Sequence, residues 1–121
     1  EGQSLPDDCQ ALVLGQPLLG RSPNDDINPK KISLPVAWTK SWTGNSGKTA
    51  RVFHVTMGSA KDYQNPGLRR LTTNAVYWCL EFENLIDADS SVDYIGDYKP
   101  LASGFAYEKL GVVPQNPEAY R

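Results

Sequence analysis

The densest set of groups able to do chemistry is the run Gly58-Ser59-Ala60-Lys61-Asp62, which offers a hydroxyl, a cation and a carboxylate within four residues. It leaves a run of strand-forming residues and leads into a marked helix start. In open α/β sheets ligands sit beyond the carboxyl ends of strands, and helix N-termini expose unpaired N–H donors there. Ser59, Lys61 and Asp62, with the backbone of Gly58, are therefore suited to a small polyhydroxyl ligand of sugar size. The competing reading is a plain connecting loop.

Other groups point elsewhere. Thr43-Gly44-Asn45-Ser46-Gly47-Lys48-Thr49 ends like a phosphate-binding loop, but that motif needs a glycine where Trp42 stands. It must also run into a helix, whereas here a strand-forming run follows, so the segment reads as a hairpin turn. Asp87, Asp89 and Asp93 invite a calcium loop, yet Val92 and Tyr98 occupy the positions that such a loop gives to glycine and glutamate. A solvated turn is the better reading. His54, the one histidine, has no nucleophile motif to serve and is expected to be a hydrogen-bonded strand residue. With one histidine and two separated cysteines, Cys9 and Cys79, no His/Cys metal site is expected, and no cofactor is implied. The cysteines are read as a pair of buried thiols in preference to a disulfide, because Cys79 falls on an apolar helical stripe.

These groups sit on few elements. Ala11-Leu12-Val13-Leu14 is expected to be a buried strand, and residues 21–33 a surface loop rich in Ser, Pro, Asn and Asp. Val36 to Trp42 forms the next strand, with Val36, Trp38 and Trp42 on one face. Arg51 to Met57 returns with Phe53, Val55 and Met57 on one face and Val52, His54 and Thr56 on the other, a pattern that suits a central strand covered on both sides. Asn65 and Pro66 mark a helix start as N-cap and first turn. Leu68, Leu71, Ala75, Trp78, Cys79 and Phe82 make its apolar stripe, and Asn84 its stop. Arg69, Arg70, Thr73, Asn74 and Tyr77 make the wetter side. From residue 87 the Gly- and Pro-rich sequence with Tyr94, Tyr98, Phe105, Tyr107 and Tyr120 reads as an extended tail clamped by its aromatics.

At 121 residues and a net charge of −2, the chain is one domain at most and has no basic stripe for nucleic acid. No apolar run approaches the roughly 20 residues of a membrane span. The sequence starts at Glu1 with neither Met nor a leader, so either a leader has been removed or the chain is a piece of a longer one. The compartment is left open between periplasmic or secreted and cytoplasmic.

Several of these segments, in order, resemble the C-terminal part of ThuA-like (trehalose-utilisation) domains. They are Leu34-Pro35-Val36-Ala37-Trp38-Thr39, Gly47-Lys48-x-x-Arg51-Val52-Phe53, Thr56-Met57-Gly58, Leu68-Arg69-Arg70-Leu71 and Asn74-Ala75-x-x-Trp78. The resemblance spans roughly residues 10–85, and Val92 to Pro100 is similar to the tail of some members. It implies a class I glutamine amidotransferase-like, flavodoxin-like α/β fold, here cut to a small mixed sheet, one main helix and a tail. Residues 1–86 are then the C-terminal part of the domain and 87–121 the extended tail. It also implies a role in the metabolism of trehalose or related keto-sugars, with Gly58, Ser59, Lys61, Asp62 and Trp38 as the sugar-binding candidates. Many members have histidine where this chain has Ser59, which removes imidazole chemistry from that position. The expected partners are a small-molecule sugar and either a second copy or a missing N-terminal half of the same domain. Catalysis by this chain alone is not expected; a non-catalytic sugar-binding or protein-interaction module is the alternative.

Overall fold

The computed structural model describes residues 5–101, 111, 113 and 115–120. Three strands, β1 (Cys9–Gly15), β2 (Leu34–Thr43) and β3 (Thr49–Val55), form an antiparallel sheet in the order β1-β2-β3. One helix, α1 (Pro66–Cys79), follows and packs against β3. The chain is thus a small mixed α/β fold, but its sheet is antiparallel throughout rather than mixed.

The turn between β2 and β3 is a hairpin, as its composition predicts. The Gly44 amide donates to the Lys48 carbonyl at 2.9 Å, and the Gly47 amide to the Gly44 carbonyl at 2.9 Å. Gly47 sits at φ +77°, a left-handed conformation that glycine adopts without steric cost. Two successive hairpin connections place β2 in the middle. The expectation of a central strand at 51–57 is therefore corrected: among the described residues β3 is an edge, and its apolar residues on two faces have different neighbours. Phe53 faces the helix side, whereas Val52 and His54 share the opposite face with Trp38 and Lys40.

The expected buried strand at 11–14 is also an edge. β1 contains two register irregularities, between Ala11 and Val13 and between Val13 and Leu14, and its Leu12 and Leu14 are exposed. A bulge of this kind re-aims side chains and strengthens local twist. Here it brings Val13 to the helix side, beside Met57. The loop between β1 and β2 is tied back by an isolated Leu18–Ile27 bridge, with the Leu19 amide 2.9 Å from the Asp26 carbonyl.

The helix begins as predicted. The Asn65 side-chain oxygen accepts from the amides of Gly67 at 2.8 Å and Leu68 at 3.3 Å, and Pro66 takes the first position. It ends at Cys79, five residues ahead of Asn84. Glu81 adopts φ +62°, the Phe82 amide donates to the Tyr77 carbonyl at 2.9 Å, and the Glu81 amide to the Trp78 carbonyl at 3.1 Å. This pair of bonds closes the helix as a glycine would, without the glycine. Arg51 reaches over from β3 and donates to the same Trp78 carbonyl at 2.7 Å and to both carboxylate oxygens of Glu83 at 2.9 Å. Phe82 therefore leaves the apolar stripe and is exposed, as is Cys79; both cysteines are free thiols, but Cys79 is not buried.

Among the described residues the apolar core consists of Ala37 and Leu68 alone. The expected tail is partly outside the described residues, Phe105 and Tyr107 included. From Asp87 to Tyr98 the chain holds a turn at 88–90 and a bend at 95–96, and its tyrosines bond the carbonyls of Tyr63 and Ala60 and stack on each other.

Candidate functional site

The segment between β3 and α1 is a tight, self-bonded turn. Asp62 accepts the amides of Gly58 at 3.1 Å and Ser59 at 2.9 Å, both on Oδ2, while its own amide donates to the Ser59 carbonyl at 2.8 Å. A short 3-10 turn over Asp62–Gln64 then delivers the chain to Asn65. A carboxylate that reaches back to amides three and four residues before it folds the turn onto itself. Lys61 is exposed beside it.

Asp62 also stands at the rim of a groove of about 730 Å³ between the first half of α1 and the ends of β1 and β3. Val13, Met57, Leu68 and Leu71 form its apolar part, and Asp62, Asn65, Arg70 and Asn74 supply polar groups. Leu71 and Asn74 also line a neighbouring hollow of about 220 Å³ that runs on past Phe53 to Trp78 and Ile86. The two lie side by side along the helix. A concave apolar surface with a few convergent polar groups, of this size, is the usual form of a small-molecule site. The groups present bind and orient: a carboxylate, two amides and a guanidinium can each bond a hydroxyl, while the aliphatic floor suits C–H faces.

The structure brings Gly58, Ser59, Lys61 and Asp62 together but sets Trp38 apart. Trp38 lies on the opposite face of the sheet and stacks on His54, with ring centroids 4.7 Å apart and planes 19° from parallel. Among the described residues this stacking, and no side-chain hydrogen bond, is what holds the His54 ring. The acidic turn is also local, for Asp87 Oδ1 accepts the Asp89 amide at 2.9 Å. Among the described residues no group of three or more His, Cys, Asp or Glu is placed to hold a metal ion, and no helix is long and apolar enough to cross a membrane.

Asn65, Arg70 and Asn74 were legible only as a cap and a wet helix face. Their convergence on the groove depends on how α1 lies against the sheet, which no local signal carries. No family model, curated protein or solved structure matches this chain.

Proposed function

We propose that the chain is part of a ThuA-like protein of carbohydrate utilisation, within a flavodoxin-like parent fold, and that the Asp62 groove is where it meets trehalose or a related keto-sugar. The supporting observation is the convergence of the Gly58–Asp62 turn and the polar side of α1 on one groove of about 730 Å³. A sugar offers hydroxyls to Asn74 and to the lone pairs and N–H groups that Asp62, Asn65 and Arg70 have left beyond their backbone bonds, and its C–H faces to Met57, Leu68 and Leu71. The remainder of the parent domain, or a second copy, completes the site.

A binding module without chemistry is the second reading. It is favoured by the Asp62 carboxylate already serving two amides, which makes it an organiser of the turn ahead of a proton carrier.

Calorimetric titration of trehalose into the wild type and Asp62→Ala tests the proposal. Saturable binding is expected, weakened about tenfold or more by loss of a charged hydrogen-bonding group. Formation of a keto-sugar by the full-length parent supports the enzyme, and binding without turnover supports the module. Absence of trehalose binding to that parent contradicts both.

A further inference from the structure

The two arginines of α1 are committed to backbone rather than to carboxylates. Arg70 donates to the carbonyls of Asp87 at 3.1 Å and Ser90 at 2.5 Å. Arg69 donates from Nε to the Val92 carbonyl at 2.6 Å. From one terminal nitrogen it reaches the carbonyls of Tyr63 at 2.8 Å and Gln64 at 3.0 Å and the Tyr94 hydroxyl at 2.9 Å. Its guanidinium also lies over the Tyr94 ring, 4.3 Å from the centroid.

Tyr94 and Tyr98 carry the connection onward. The Tyr94 hydroxyl donates to the Tyr63 carbonyl at 2.8 Å, and the Tyr98 hydroxyl donates to the Ala60 carbonyl. The two rings stack with centroids 4.4 Å apart and planes 15° from parallel. The chain from Asp87 to Tyr98 therefore runs from the middle of α1 to the turn that carries Gly58 and Asp62.

That path divides the bonds of the turn into two kinds. Asp62, Ser59 and Gly58 bond one another across three or four residues, which fixes the local shape of the turn but not its position on the helix. The bonds to Ala60, Tyr63 and Gln64 come from the tail, from Arg69 and, more weakly, from the Thr72 hydroxyl, which donates to the Tyr63 hydroxyl at 3.5 Å, and these help to set where the turn lies. A planar guanidinium can bridge four such acceptors on two segments; a lysine ammonium lacks that fixed fork.

We propose that residues 87–98 form a strap that holds the Gly58–Gln64 turn at the rim of the groove, with Arg69, Tyr94 and Tyr98 as positioning residues for the ligand. The ligand half of this statement rests on the sugar reading above; the positional half stands without it.

Amide hydrogen exchange, resolved by residue on the full chain, tests the strap in Tyr98→Phe and Arg69→Lys. Tyr98→Phe removes one hydroxyl and leaves the stacked ring. It is expected to speed exchange at the amides of Ser59, Asp62 and Gln64 about fivefold, the value of one lost hydrogen bond. Arg69→Lys, which loses several charge-assisted bonds, is expected to exceed tenfold at the same amides. The amides joining β2 to β3 stay at wild-type rates in both. Unchanged exchange at the turn overturns the proposal, and so does equal acceleration across turn and sheet, which is what general destabilisation produces. Trehalose affinity measured on the same proteins should fall in parallel with the local opening. If exchange responds while the wild type binds no trehalose, the strap stands and the sugar reading fails. If trehalose binds equally to wild type and variants despite local opening, the positioning role is overturned and the sugar reading stands.

Discussion

Asn65 and Glu81 bracket the helix and show the two ways a residue can suit its place. The Asn65 side chain caps two amides that otherwise have no helical acceptor. Asn65→Ala is expected to lower stability by about 1 kcal/mol, read as a shift in the midpoint of thermal or urea unfolding. Glu81 instead occupies a left-handed conformation at φ +62° that its Cβ disfavours. Glu81→Gly is expected to raise stability by about 1 kcal/mol in the same assay. The start of α1 was legible in the sequence because Asn-Pro is a local cap signal. Its end was not, because the closing bonds fall on a glutamate where glycine is usual and are backed by Arg51, 27 residues from the carbonyl it bonds.

Between elements, Arg51 is the fastening that joins β3 to the end of α1. It bonds the Trp78 carbonyl and Glu83 and lies over the Trp78 ring, 5.3 Å from the centroid. The hydrogen bond from Arg51 holds the Glu83 carboxyl below its ordinary value, and the same bond raises the Arg51 guanidinium. A lowered folded-state value means that the unfolded chain takes up this proton first as pH falls. The contribution of Glu83 is therefore complete above its ordinary value of 4.5 and is lost as pH falls through the lowered one. Thermal midpoints measured on both sides of that pH should fall less steeply toward acid in Glu83→Gln than in the wild type. An acid limb of unchanged slope would place the sensitivity in other carboxylates, such as Asp8, which Lys40 lowers through a 2.8 Å ion pair. The strand assignments were legible from period-two patterning, as Phe53 and Val55 opposite Val52 and His54 show. Strand order was not: apolar residues on both sides of β3 suggested a centre, whereas the hairpin and the β1–β2 pairing put β2 there. Trp38 was misplaced for a related reason. Its face follows from register with His54, and its separation from the Gly58–Asp62 turn follows from which face α1 covers.

At the scale of the whole molecule, the described residues bury little: Ala37 and Leu68 are the buried apolar side chains among them. Leu12, Leu14, Trp42, Val76, Leu80 and Phe82 are all exposed, and both outer strands present unpaired edges among the described residues. This accords with a chain whose groove and sheet are finished by the rest of a larger domain or by a second copy. Differential scanning calorimetry of the chain alone over a range of concentrations tests that account most directly. It predicts a broad transition or a midpoint that rises with concentration, and an enthalpy well below the roughly 85 kcal/mol of a fully packed chain of this length. A sharp, concentration-independent transition of a monomer, with calorimetric and van't Hoff enthalpies equal and near that value, would contradict it.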